Sequence, residues 1–203
     1  NKILINGDRT YLPIDGMNRV TLEVTRSLDA LAKNENYVIV IPANVNTEFY
    51  NRIKDLRNIK IRKTKLPYFR FWTLLFVDVA ALIQNRSIIN FANRISVFGG
   101  GINFLHDIIP LSFYGEHNKK YYHRLKKMLN KSDCLIVPSQ FTRQDIKEAI
   151  HCNCKMEVIH LGWQHYLQIQ EDDEIFNLFS TKEVKLSIIL TYLYSCNCNQ
   201  HSL

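Results

Sequence analysis

Apolar positions along the chain follow two alternating rhythms. Ile3–Asn6 ("ILIN") is a short apolar run that predicts a strand. Met17, Val20, Val24, Leu28 and Leu31 then recur at the spacing of one helix face, which predicts a helix over Met17–Ala32. Tyr37–Ile41 ("YVIVI") is β-branched and continuous, as a strand buried on both faces should be. The same reading predicts a helix over Thr47–Leu56, a strand over Ile59–Ile61 and a long apolar helix over Tyr68–Gln84. Strands follow over Ser87–Phe91 and Gly101–Leu105, then a basic helix over Gly115–Lys131. Cys134–Val137 reads as a strand, Ser139–Ile150 as a helix and Met156–His160 as a final strand.

Strand and helix alternating through short connections predict an α/β domain with a mostly parallel sheet and helices on both faces. In such sheets the crossovers are right-handed, and ligands bind outside the carboxyl ends of the strands. That edge singles out candidate residues. The loop Gly7–Asn18 ("GDRTYLPIDGMN") joins the first strand to the first helix. Gly16, with Met17 and Asn18, stands where free helix-start N–H groups favour anions; the alternative is a plain helix start capped by Asp15 or Asn18. His106-Asp107 closes a strand and supplies an imidazole beside a carboxylate. The alternative there is a satisfied core histidine and a turn-capping aspartate. Ser139 is a good helix N-cap, and Arg143 follows it one turn on, at the same edge. Three glycines, Gly99–Gly101, precede a strand instead of following one, so they predict a tight turn or a close backbone approach, not a phosphate loop.

Composition changes the picture modestly. With 203 residues, 46% hydrophobic and 22% charged, the chain can bury a sizeable core. The net charge of +7 raises the question of anionic partners. Basic and aromatic residues mix at Arg70 and Trp72 and along the Lys119, Lys120, Arg124 and Lys127 helix, a pattern suited to an anionic membrane surface or to a solvated face over a core. The apolar run Phe71–Ile83 is broken by Asp78 and too short to span a bilayer. No nucleic-acid-binding module is recognisable, and there is no G-x-G-x-x-G dinucleotide fingerprint. Five cysteines without a framework fit a reducing cytoplasm, and no N-terminal signal peptide is visible. "HCNC" at His151–Cys154 and "CNC" at Cys196–Cys198 place one residue between cysteines, closer than structural zinc sites use, so no metal is expected.

Four pieces, in this order, resemble one family. "DGMNRVTLEVTRSLDAL" is similar to the first loop and helix of retaining glycosyltransferases of family 4, which have the GT-B fold; "FLHDIIPL" resembles that family's strand ending in His-Asp and Pro. "SDCLIVPSQFTRQDIKEAI" resembles its later helix, and "KMEVIHLGW" the strand and glycine leading to its second domain. The likeness runs from about Lys2 to about Trp163. It implies a Rossmann-like, acceptor-binding N-terminal domain over residues 1–163. It implies transfer of a sugar from a nucleotide-sugar donor to a saccharide or lipid-linked acceptor, with no metal and no other cofactor. By resemblance, Gly16, Met17 and Asn18 approach the donor diphosphate, His106 lies near the transferred sugar and Asp107 shapes that edge. "NRVTLE" and "HDIIPL" suggest bacterial surface-polysaccharide or capsule assembly, in the cytoplasm or on the inner face of the plasma membrane.

The chain departs from the family after Trp163. Residues 164–203 are expected to be a linker and an aberrant tail: an acidic patch at Glu171–Glu174, then no charged side chain from Leu186 to Leu203. The family's donor-binding domain is not recognisable there. The expectation is a truncated or frame-disrupted chain, inactive alone and dependent on a separate donor-domain chain or a homodimer. The competing reading is a non-catalytic Rossmann-like module for a membrane or protein partner. A nucleotide-dependent oxidoreductase lacks its glycine fingerprint.

Overall fold

The computed structural model describes residues 2–32, 36–94, 96–98, 100–106, 119–151 and 153–159, the side chains of 119–121, 124 and 128 excepted. The tail 164–203 and the tail cysteines therefore lie outside the described residues. Seven strands form one sheet: β1 (Ile3–Asn6), β2 (Tyr37–Ile41), β3 (Ile59–Lys63), β4 (Ser87–Asn90), β5 (Ile102–Phe104), β6 (Cys134–Val137) and β7 (Met156–Val158). Their order is β3-β2-β1-β4-β5-β6-β7, and every neighbouring pair is parallel.

Helices form where the apolar spacing placed them, with ends set by side chains. Asp15 caps α1 (Gly16–Leu31) by accepting from the Asn18 N–H, and Asn46 caps α2 (Thr47–Ile53) through the Phe49 N–H. The helix expected over Tyr68–Gln84 starts later and is not uniform. It runs over 72–83, with a π-helical turn at Leu74–Asp78 before α3 (Val79–Ile83). The wider turn brings Trp72 and Val77, five residues apart, onto the same inward face. The basic helix is α4 (Lys119–Leu129), and α5 is Gln140–Ile150 with Ser139 as its cap.

Strand alternation splits the core in two. On one face Ile3, Ile5, Ile39 and Ile41 pack against Leu22 and Leu28 of α1 and Phe49 and Ile53 of α2. On the other face Leu4, Val40 and Ile88 lie under Trp72, Val77 and Ala81, while Leu135 and Val137 lie under α4 and α5. Between those two patches runs a buried polar row that the sequence reading did not anticipate. Asn6 donates to Asn90 (2.8 Å), Asn90 to Asn103 (2.7 Å) and Asn103 to the Ser132 hydroxyl (2.9 Å). Each amide satisfies the next, so burial there costs little.

The glycine run works as a close approach. Gly101 has φ +74°, and a Cβ on it would stand 2.2 Å from the Ile88 carbonyl oxygen. No side chain fits there, because the chain enters β5 against the backbone of β4. No helix among the described residues is long and apolar enough to cross a membrane.

Candidate functional site

Strand order reverses between β1 and β4, since β2 and β3 lie on one side and β5, β6 and β7 on the other. The crevice at such a switch point is where open α/β sheets bind ligands. Four chain segments contribute to its carboxyl edge: the loop after β1, the start of the 72–83 helix, the turn after β4, and the residues after β5.

The loop after β1 is held by its own side chains. Asn6 Oδ1 accepts from the Asp8 N–H at 3.0 Å, and the Thr10 hydroxyl donates to the Gly7 carbonyl at 2.7 Å. Asn18 is fully buried, and its amide donates to the carbonyls of Arg9 (3.1 Å) and Pro13 (2.8 Å). Asn18 is therefore a clamp on the loop. Arg9 pairs with Asp15 at 3.0 Å. Partial burial opposes ionisation of Asp15, but the Asn18 N–H and Arg9 together hold its carboxyl below the usual range. Gly16 begins α1 with nothing within 4 Å of where a Cβ would sit. Its freedom is not needed by the fold, and it leaves open space over the helix start.

Next to this loop lies a cluster that sequence reasoning missed. Asp8, 2% exposed, receives Arg94 Nε at 2.7 Å and the Thr73 hydroxyl at 3.2 Å. Arg94 also donates to the Tyr68 hydroxyl and lies over the Tyr68 ring. Tyr68 in turn stacks on Tyr11, with ring centroids 4.4 Å apart. Burial pushes the Asp8 carboxyl up and outweighs the opposing pull of Arg94 and Thr73. Burial raises the Tyr68 phenol as well. The result is a half-exposed guanidinium and an aromatic pair fixed by a buried carboxylate. The one signal in the sequence was position: Asp8 and Arg94 each follow a strand end at the switch point.

His106 stands two residues past β5 and is half buried. Its backbone N–H donates to Asn93 Oδ1 at 2.6 Å, and its ring Nε2 lies 2.8 Å from the Phe91 carbonyl. A carbonyl only accepts, so Nε2 carries a hydrogen here, and in the neutral form of the ring the lone pair is at Nδ1. Asn93 holds φ +51°, a left-handed conformation rare outside glycine. The turn after β4 thus grips His106 through Phe91 and Asn93 and Asp8 through Arg94.

Other candidates fall as follows. Gly16, Met17 and Ser139 lie at the same carboxyl edge as His106, each just past a strand or at a helix start there. The Ser139 hydroxyl accepts the Thr142 N–H at 3.0 Å. Arg143 follows in the first turn of α5, with a buried Nε that has no hydrogen-bond partner. Asp107 lies outside the described residues, as do the side chains of Lys119, Lys120 and Arg124. Lys127 and Arg70 are exposed, Arg70 over the Phe71 ring at 5.7 Å. Trp72 is not a surface residue: it is 0% exposed and donates from Nε1 to the Thr64 hydroxyl at 3.0 Å. Its membrane role is corrected to a core role, because it packs with Leu4, Val40 and Val77 under the helix. A second hollow, lined by Arg26, Asp29, Asn51, Arg52, Asp55 and Leu56, lies at the amino edge, away from these groups.

Comparison with known proteins supplies the context. No curated protein matches the chain. Among solved structures it is similar to Anabaena HepE, crystallised in complex with UDP and glucose, with a TM-score of 0.52 and 16% identity. The match covers 87% of this chain and 49% of HepE, so the chain spans about half that protein's length and shares its fold. The model of Glycosyltransferase Family 4 matches residues 14–164. That span takes in α1, β2 to β7 and His106, and the chain belongs to Glycosyltransferase Family 4.

Proposed function

We propose that this chain is the acceptor-facing half of a sugar transferase. The donor is a nucleoside diphosphate sugar, and the acceptor is a saccharide, lipid-linked in the growing surface polysaccharides of bacteria. One observation carries the reading: the open start of α1 at Gly16 and the imidazole of His106 share the carboxyl edge of a switch-point sheet in a family-4 chain.

The chemistry follows from what each group offers. Departure of a nucleoside diphosphate builds negative charge, and preorganised donors stabilise it. The Gly16 N–H at the helix start supplies such a donor, while Asp15 takes the Met17 and Asn18 N–H groups, and the open space above Gly16 admits a diphosphate. Asp15 tempers that field, and its pairing with Arg9 limits the effect. With Nε2–H held by the Phe91 carbonyl, the His106 ring in its neutral form offers Nδ1 as an acceptor for a sugar hydroxyl. Ser139 and Arg143 extend the edge toward the acceptor. No metal is needed, because donors fixed in the protein answer the developing charge.

The test uses the purified full chain with nucleotide sugars and a lipid-saccharide extract, alone and mixed with a donor-binding half from a family relative. The mixture should transfer sugar, and His106→Ala should lower kcat about a hundredfold or more, the scale of a lost transition-state contact. An active mixture indifferent to His106→Ala removes the histidine from the site. No transfer in any mixture favours the non-catalytic binding module.

A further inference from the structure

Tyr68 is held from more sides than a half-buried ring requires. Its backbone N–H donates to Asn44 Oδ1 at 2.7 Å. Its ring stacks on Tyr11, tilts against Trp72 with centroids 6.1 Å apart, and lies under the Arg94 guanidinium, 5.6 Å from the ring centre. Tyr11 and Tyr68 nevertheless both keep some exposure. With one face of Tyr11 on Tyr68, the exposed part of Tyr11 belongs to its other face and its rim. Aromatic surface fixed in this way meets a ligand without a further cost of ordering.

Arg94 has donors to spare. A guanidinium carries five N–H groups. Arg94 engages Nε with Asp8 at 2.7 Å, one hydrogen of Nη1 with the Thr73 hydroxyl at 3.5 Å, and one of Nη2 with the Tyr68 hydroxyl. One hydrogen on each terminal nitrogen is left over among the described residues, on a side chain 42% exposed. Sugar hydroxyls could take these hydrogens singly, but a carboxylate or phosphate offers two charged oxygens at the spacing of the fork. Asp8 offsets the charge of Arg94, yet it is 3% exposed, so solvent meets the guanidinium and not the carboxylate. The surroundings add to the attraction. Residues 56–106 contain eight Lys or Arg and a single acid, Asp78, which is buried.

Placement ties the cluster to the rest of the edge. Asp8, Arg94 and His106 follow β1, β4 and β5, which are successive neighbours in the sheet. Two strand spacings, about 10 Å, separate the first backbone from the last, so the cluster and the imidazole meet different parts of one ligand. Arg94 is also the next residue after Asn93, which holds the His106 N–H.

We propose that Tyr11, Tyr68 and Arg94 form a subsite for an acidic sugar, with the apolar face of its ring against the tyrosine pair and its carboxylate or phosphate in the Arg94 fork. As an acceptor subsite it rests on the transferase reading above and narrows that acceptor to a saccharide bearing an anionic group. As a binding site it stands without that reading.

The experiment is an NMR titration of the full chain, with no donor half present. The probes are methyl glucuronoside, glucose 6-phosphate, methyl glucoside and inorganic phosphate. At least one acidic sugar should bind about tenfold or more tighter than methyl glucoside, and the tighter of the two identifies the anionic group. The amides of Tyr11, Tyr68 and Arg94 should shift in the unsubstituted chain, a reading that depends on no variant. Arg94→Lys keeps a cation for Asp8 but has no fork, and should remove most of the preference for the acidic sugar. Tyr11→Ala, at a partly exposed position, should weaken acidic and neutral sugars alike, by about fivefold. Equal binding of acidic and neutral sugars, shifts confined to residues outside the cluster, or a preference that survives Arg94→Lys would each overturn the proposal. So would inorganic phosphate binding as tightly as glucose 6-phosphate, which would show an anion contact without a sugar subsite. Acidic-sugar binding by a chain inactive in every mixture would uphold the subsite and count against the transferase. An active mixture whose chain shows no acidic preference would do the reverse.

Discussion

The two edges of the sheet use buried polar groups in opposite ways. At the amino edge the chain's own backbone consumes them. Asp29 accepts three N–H groups, from Arg57 (3.0 Å), Asn58 (2.6 Å) and Ile59 (2.8 Å), and so fixes the start of β3 to α1. Arg86 donates to the carbonyls of Asn36 (2.9 Å) and Ile3 (3.3 Å), tying β4 to β1 and to the start of β2. At the carboxyl edge side chains hold one another instead. Asp8 holds Arg94, Arg94 holds Tyr68, and Asn93 holds His106 by its backbone. Three N–H groups fill Asp29, whereas the carboxyl-edge contacts leave the Arg94 guanidinium half exposed and, among the described residues, engage the His106 ring at Nε2 through the Phe91 carbonyl. The hollow at the amino edge is therefore bounded by structural groups, and the proposed site lies at the carboxyl edge.

The largest effect should come from breaking the amino edge. Asp29→Ala strands three N–H groups that lose a charged acceptor, and should cost about 4 kcal/mol. Urea unfolding checks it through a lower midpoint at unchanged m-value. Binding of a nucleotide sugar to the mixture described above should stay as it was at temperatures where the variant is folded. Loss of binding in that folded variant would erase the division between the edges.

Arg94→Met probes the carboxyl edge and should cost less, about 2 kcal/mol at neutral pH, because Arg94 is 42% exposed and water screens part of the pair. The pH dependence identifies the cause. Burial already holds the Asp8 carboxyl above its unfolded value of 3.8, and removing Arg94 raises it further. A carboxyl raised in the fold takes up its proton there first, so stability returns as the pH falls through that value. The deficit of Arg94→Met should shrink in acid, and Arg94→Met combined with Asp8→Asn should show a smaller pH dependence. A deficit constant from pH 7 to pH 4 would assign the loss to Tyr68 and packing instead.

Legibility divides along the same lines. Strands and helices were readable because their burial is periodic: "YVIVI" can only be an interior strand, and α1 shows its face every three to four residues. The 72–83 helix was misplaced for the same reason. Its buried positions Trp72 and Val77 are five apart, a π-turn spacing that a 3.6-residue pattern does not see. The apolar run Phe71–Ile83 hid which residues face out, and put Trp72 on the surface. Gly16 was readable as a helix start and His106 as a residue just beyond a strand. Asp8 and Arg94 were not, because 86 positions separate them and their pairing follows from strand order, which local pattern does not contain. The row Asn6, Asn90, Asn103 was invisible on the same ground: each asparagine alone reads as a turn former at a strand end, and only register makes them partners.

The smallest expected effect gives the cleanest comparison, because β4 has a left-handed asparagine at each end. Asn85 (φ +49°) precedes the strand at the amino edge, and Asn93 (φ +51°) follows it at the carboxyl edge. Glycine adopts this conformation without strain, and its added freedom when unfolded costs the same at both sites. The backbone terms of Asn85→Gly and Asn93→Gly should therefore cancel in the difference. What remains is the Asn93 Oδ1 bond to the His106 N–H, about 1 kcal/mol. Asn85→Gly should fall within about 0.5 kcal/mol of the parent, and Asn93→Gly about 1 kcal/mol below it in the same urea titration. In the transfer assay Asn93→Gly should lower kcat, since it frees the backbone that aims the imidazole, and Asn85→Gly should not. Equal behaviour of the two variants in both measurements would show that the turn after β4 shapes the chain without positioning His106.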